Sequence, residues 1–230
     1  MIELKTLYLI SVCVTALLGV LLLFVWSQHP TMQALWWWAA AEFALALGLG
    51  LLGLRESIHH IPSIALANAA IALSAALFWT GARVLERRKP DLRWLFAGAA
   101  LWLVACLIPP FYGSINARTE LMAVVLGAYT WWLAFELWQT RRERDRIRWA
   151  LIVIVAIQGA MFLARVPAVI WAPIQEALPG VGSTWYTLHQ FEILLYKIAI
   201  VVLFIVVAVG RRPAAAAPAA AKPRRRRRAA

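Results

Sequence analysis

The chain has few charges, few acids and almost no cysteine. Charged side chains make up 15% of its 230 residues and 63% are hydrophobic, where an ordinary soluble domain carries roughly 25% charge. Those values exclude both a soluble globular protein and a disordered one. Two cysteines, Cys13 and Cys106, are too few for a disulfide framework or a cysteine metal site. Both lie in apolar runs and read as buried thiols packed like small hydrophobes. There is no phosphate loop, no H-E-x-x-H and no G-x-S-x-G. The four histidines, His29, His59, His60 and His189, include no i,i+4 pair. No metal, haem or other cofactor is therefore expected.

Long apolar runs dominate instead. Seven of them, about 17–24 residues each, can cross a bilayer core of about 30 Å as helices. They cover residues 6–26, 34–54, 62–82, 94–112, 119–138, 149–170 and 190–210. The expectation is an all-α polytopic membrane protein: a seven-helix membrane domain over 1–210 and a disordered basic tail over 211–230. The first run has no small-residue cleavage site after it and reads as a retained helix.

The 23 basic residues are distributed unevenly. One set of loops and ends holds 18 of them: Arg83, Arg87, Arg88, Lys89 and Arg93; Arg141, Arg142, Arg144, Arg146 and Arg148; and the tail. The other side has only Lys5, Arg55 and Arg118, while Arg165 and Lys197 fall inside runs. Positive-inside reasoning places the N-terminus outside and the C-terminus in the cytoplasm. Trp26, Trp36, Trp37, Trp38, Trp79, Trp94, Trp138 and Trp149 sit at the expected cytoplasmic ends, where an indole anchors in the headgroup layer.

Residues 171–189 form the longest outer loop. With Pro173, Pro179, Gly180, Gly182, an amphipathic piece at 174–178 and the Trp185–Tyr186 pair, they suit an outward cap or ligand lip, or a plain connector at the interface. The tail is an Ala/Pro stretch ending in Arg224, Arg225, Arg226, Arg227 and Arg228. It suits a lipid or partner tether, or a solvated segment that reinforces topology. No specific nucleic acid is expected.

Ionisable groups inside a membrane are costly, and each is a functional candidate. They are Glu42, Glu136, Arg165, Glu192 and Lys197, with Asn68 and Gln158 as polar neighbours and Arg83 near a helix end. Counting along the helices groups Glu42, Arg83 and Glu136 in the inner half, and Arg165, Glu192 and Lys197 in the outer half. Each group is read as pairing helices in register; the functional alternative is a ligand or proton site in the outer half, flanked by the 171–189 loop. Pro167 is expected to bend the sixth helix. Small residues in the second and third runs suit close helix packing. No internal repeat of the inverted-transporter kind stands out.

The motifs at 37–55 (WWAAAEFALALGLGLLGLR), 62–90 (PSIALANAAIALSAALFWTGARVLERRKP), 135–138 (FELW) and 162–167 (FLARVP) resemble the membrane-embedded sensor half of bacterial GGDEF-type diguanylate cyclases, mainly alphaproteobacterial. The likeness spans roughly 1–210 and matches Glu42, Arg55, Ser63, Asn68, Gly81, Arg83, Glu136 and Arg165. It implies an input module whose last helix leads to a cytoplasmic output in cyclic di-GMP signalling. No Gly-Gly-Asp/Glu-Glu-Phe signature occurs in these 230 residues, so no catalytic output is expected of them. The expected role is thus a sensory or regulatory module, with the lipid bilayer and a cytoplasmic partner or a second copy as its contacts. A permease lined by Glu42, Arg165, Glu192 and Lys197 is one alternative. A membrane anchor or assembly factor using the basic tail is another.

Overall fold

A backbone running through apolar sequence must satisfy its own N–H and C=O groups, and a helix does so within one segment. The computed structural model describes residues 4–54, 61–140, 145–171 and 184–210, and every element among them is helical. These are α1 (Leu4–Gln28), α2 (Gln33–Gly53), α3 (Ala67–Leu85, entered through a wide π-helical turn at Ile61–Leu66), α4 (Leu92–Ala105), α5 (Pro109–Gly113), α6 (Ile115–Gln139), α7 (Arg146–Trp171) and α8 (Thr184–Gly210). Six of them, all but α4 and α5, are long and apolar enough to cross a membrane. Their outer faces are as apolar as their inner ones, with Leu17, Phe24, Leu47 and Leu195 all exposed. Such an exterior would drive aggregation in water and is at home in lipid. The helices mark a multi-pass membrane protein.

The fourth apolar run differs from expectation. A single crossing at 94–112 gives way to a 14-residue helix, a turn and the five-residue α5. Pro109 and Pro110 are the cause. Proline lacks the N–H, and the residue before it is pushed out of the helical region; Ile108 accordingly adopts φ −91°, ψ 109°. At the start of α4, Asp91 accepts a hydrogen bond from the Arg93 N–H at 3.2 Å. Ser114 caps α6 through the Ala117 N–H at 3.2 Å, and Asp145 accepts from the Arg148 N–H at 3.1 Å ahead of α7. Each satisfies a donor that the first turn leaves free. The last helix begins at Thr184, six residues before the expected 190.

Side-chain contacts fix the helix directions. Trp26 meets Trp36, while the far ends of α1 and α2 meet at Tyr8 and Gly53, so the pair is antiparallel. In the same way Gly81 lies on Trp38 and Gly48 on Ile71 between α2 and α3, and Gly127 on Leu163 and Gly159 on Trp131 between α6 and α7. Between α4 and α6, Trp94 packs on Trp132 and Gly98 on Tyr129. By contrast α3 and α6 run the same way: Trp79 packs on Trp132, and Arg88 just past α3 reaches Gln139 at the end of α6. In α8, Lys197 reaches Glu42 and Phe204 stacks on Trp38, so α8 opposes α2. One end of the bundle therefore gathers the C-terminal ends of α1, α3, α6 and α8 with the starts of α2, α4 and α7. This is the basic end. The helices α1, α2, α3, α6, α7 and α8 follow one another round a ring that closes from α8 to α1, and α4 lies outside it on α3 and α6. Trp38, Phe204, Leu22, Leu35, Leu151 and Val155 form part of its core.

Candidate functional site: two buried charge clusters

Glu42 sits on α2 and is fully buried. Opposite it, the Lys197 Nζ lies 2.7 Å from Glu42 Oε2 and donates to Thr15 Oγ1 at 2.8 Å. The three residues come from α2, α8 and α1. Gly19, one turn from Thr15, makes the approach possible: a Cβ there would lie 3.2 Å from the Glu42 Cβ. An isolated charge at this depth would carry a large desolvation cost, and the opposed pair offsets part of it. The other carboxylate oxygen, Glu42 Oε1, is buried and meets no donor among the described residues. Gln158 of α7 is also buried, and neither atom of its amide is hydrogen-bonded among the described residues. At 1.5 Å per residue, Thr15, Glu42, Gln158 and Lys197 lie about 14–20 Å from the basic ends of their helices.

This pairing corrects the expected grouping. Glu42 was placed with Arg83 and Glu136, and Lys197 with Arg165 and Glu192. Because α8 starts earlier than expected, Lys197 falls at its middle rather than near its outer end, and its long stem reaches Glu42.

The second cluster ties the basic ends of α3, α6 and α7. Glu136 of α6 takes Arg88 at 3.0 Å and faces Arg83 at 4.0 Å. Arg88 also donates to Gln139 Oε1 at 2.5 Å. Arg148 pairs with Glu86 at 2.6 Å, with both side chains at most 5% exposed. It also donates to the Leu137 carbonyl at 3.0 and 2.8 Å and to Thr140 Oγ1. The Arg83–Glu136 part was legible from depth alone. Glu86, Arg88, Arg148 and Thr15 were not: Arg88 and Arg148 read as loop charges, and nothing in the local sequence distinguishes Glu86 or Thr15.

The remaining candidates serve other ends. Asn68 donates to the Ile64 carbonyl at 2.8 Å, satisfying an acceptor where the wide π turn meets α3. Arg165 and Glu192 are half-buried toward the outer ends of the adjoining helices α7 and α8, and α7 continues through Pro167. Arg118, expected as an outer loop charge, is buried in the first turn of α6, where its Nε donates to the Ser114 carbonyl at 3.3 Å. Trp36, Trp94, Trp138 and Trp149 are exposed as anchors should be, but Trp38 and Trp79 belong to the core. Cys13 is exposed on α1 rather than buried, and Cys106 is half-buried. Arg55, His59 and His60, residues 172–183 with Pro173, Pro179, Gly180 and Gly182, and the tail with Arg224, Arg225, Arg226, Arg227 and Arg228 lie outside the described residues. Trp185 and Tyr186 belong to α8. Among the described residues, no three His, Cys, Asp or Glu side chains converge as a metal site.

Comparison of the chain with protein-family models, with curated proteins and with solved structures gave no match. The likeness to the membrane half of diguanylate cyclases rests on its motifs alone.

Proposed function

We propose that the chain is an inner-membrane sensory or regulatory module of seven crossings, N-terminus outside and C-terminus cytoplasmic, that passes a change in bundle packing to its cytoplasmic end through α8. The observation that carries this reading is the Lys197–Glu42–Thr15 clasp. It puts the bundle's central charge pair on the helix that leads to the C-terminal tail. Around the clasp, α8 meets α2 and α3 mainly through apolar contacts such as Phe204 on Trp38 and Phe78. Closing or opening one polar contact therefore biases the position of the whole helix. A stimulus shifts such an equilibrium only if it binds the two packings unequally. The motif resemblance supplies the signalling direction, and the excess of basic residues at one end supplies the orientation.

Spin labels at Val209→Cys on α8 and Gln33→Cys on α2, with Cys13 and Cys106 replaced by alanine, test the reading. Glu42→Gln should add a second distance population to the single one of the parent. An unchanged distribution, with normal membrane levels, would overturn it.

One observation favours a second reading. Glu42 Oε1 and Gln158 are buried polar groups without hydrogen-bond partners among the described residues, at similar depth on two sides of the ring. Polar groups of this kind near the midplane suit the path of a small solute or ion. Proteoliposome flux abolished by Gln158→Leu would support a permease; absence of flux from the unaltered protein would remove it.

A further inference from the structure

At the basic end, the last turn of α3, the first turn of α4 and the last turns of α6 carry an aromatic surface rimmed by cations. Trp132 is its centre, with ring centroids 5.6 Å from Trp79 and 4.9 Å from Trp94. Trp94 is 48% exposed and Trp132 38%. The Arg83 guanidinium lies over Trp79 at 5.0 Å. Its Nε donates to the Lys89 carbonyl at 3.2 Å, but its closest carboxylate, Glu136, is 4.0 Å away and already holds Arg88 at 3.0 Å. The terminal nitrogens of Arg83 thus make no hydrogen bond among the described residues and keep their donors. Lys89, whose carbonyl accepts from Arg83, is exposed, and Arg93 is exposed in the first turn of α4, adjacent in sequence to Trp94. Asp91, the one acid in the 86–93 connection besides Glu86, is engaged in capping α4, and Glu86 is held by Arg148. Among the described residues, Lys89 and Arg93 form no ion pair, and Arg83 shares Glu136 with Arg88.

We propose that this surface binds one anionic phospholipid. The phosphodiester accepts hydrogen bonds from Arg83 and Lys89 with Arg93 at the rim, and the acyl chains lie over the exposed rings of Trp94 and Trp132. Guanidinium and ammonium donors suit phosphate oxygens, and basic surfaces between helices on the cytoplasmic side are built for anionic headgroups. Aromatic rings at the same level favour a lipid over a free phosphate, which has no apolar part to cover them. The inference rests on the basic end lying at a membrane surface and not on the signalling reading.

The test is native mass spectrometry of the full chain, delipidated in detergent and titrated with phosphatidylglycerol, with phosphatidylcholine of the same chains, and with glycerol 3-phosphate. Phosphatidylglycerol should bind at least about tenfold tighter than phosphatidylcholine, and glycerol 3-phosphate should not displace it. Lys89→Gln with Arg93→Gln should weaken it by about fivefold per charge removed. Lys89→Arg with Arg93→Lys serves as the folding control and should keep the preference. Replacing Arg224, Arg225, Arg226, Arg227 and Arg228 by glutamine should also leave the preference intact. Equal binding of the two lipids, displacement by glycerol 3-phosphate, or a preference that disappears with the tail arginines would overturn the proposal.

Discussion

Arg87 stands at φ 60°, the one non-glycine residue at positive φ among those described. It closes α3: its N–H bonds the Val84 carbonyl at 2.9 Å, and the Arg88 N–H bonds the Arg83 carbonyl at 2.8 Å. This is the Schellman arrangement, whose left-handed position usually belongs to glycine. An L side chain there costs about 1 kcal/mol. Arg87→Gly should therefore keep the fold and leave thermal stability unchanged or slightly raised, as unfolding in detergent would read. Gly81 presents the opposite case. A Cβ at 81 would run into the Trp38 indole, whose Nε1 donates to the Phe78 carbonyl at 3.1 Å and whose ring stacks on Phe204 at 4.0 Å. Gly81→Ala should cost about 1–3 kcal/mol, the usual range for overpacking, and a variant as stable as the parent would show that Trp38 can shift without loss.

Charge pairs join helices that contribute little to each other in sequence. Removing Lys197 alone leaves Glu42 buried without its cation, a change of about 3–5 kcal/mol, while replacing both by apolar residues of similar size is often neutral. Lys197→Met should sharply lower the midpoint of denaturation in detergent, and Lys197→Met with Glu42→Leu should recover most of it. Equal losses in the single and double variants would mean the site depends on packing rather than on charge. The helices themselves were readable from the sequence because lipid demands unbroken apolar runs, and five of the seven expected spans lie within four residues of a helix at both ends, counting the wide turn at Ile61–Leu66 with α3. The other two, the fourth and the last, differ for local reasons. Pro109 and Pro110 end the fourth run inside what composition alone presents as continuous. Thr184 starts α8 early because a membrane helix extends through polar residues at its end wherever the backbone can still close its bonds. The partners of Glu42 and Lys197 were hidden for a different reason. Depth along one helix gives no azimuth, and the choice of partner depends on which helices adjoin in the ring.

The parallel course of α3 and α6 has a consequence for the molecule as a whole. Arg88 meets Glu136 and Gln139, so α3 and α6 end at the same face. The chain leaves α3 at that face and must begin α6 at the opposite one. Residues 89–114 therefore have to travel the depth of the bundle, although α4 spans only about 21 Å. The hydroxyl of Tyr129 explains how so short a helix is held in place. It donates to the Trp94 carbonyl at 2.5 Å and accepts from the Gly98 N–H at 3.1 Å, linking α6 to the two backbone groups that one turn of α4 would otherwise join. The turn after α4 and the small α5 supply the remaining distance. If the basic end is cytoplasmic, Leu107, 80% exposed in that turn, lies toward the outer face. With Cys13 and Cys106 replaced by alanine, Leu107→Cys should react with a membrane-impermeant maleimide in vesicles of native orientation and lose that reactivity in inverted ones. Lys89→Cys should show the reverse. Reaction of both cysteines from one side would mean that 89–114 enters and leaves by the same face; α3 and α6 would then have to be antiparallel, and Arg88 could not reach Gln139.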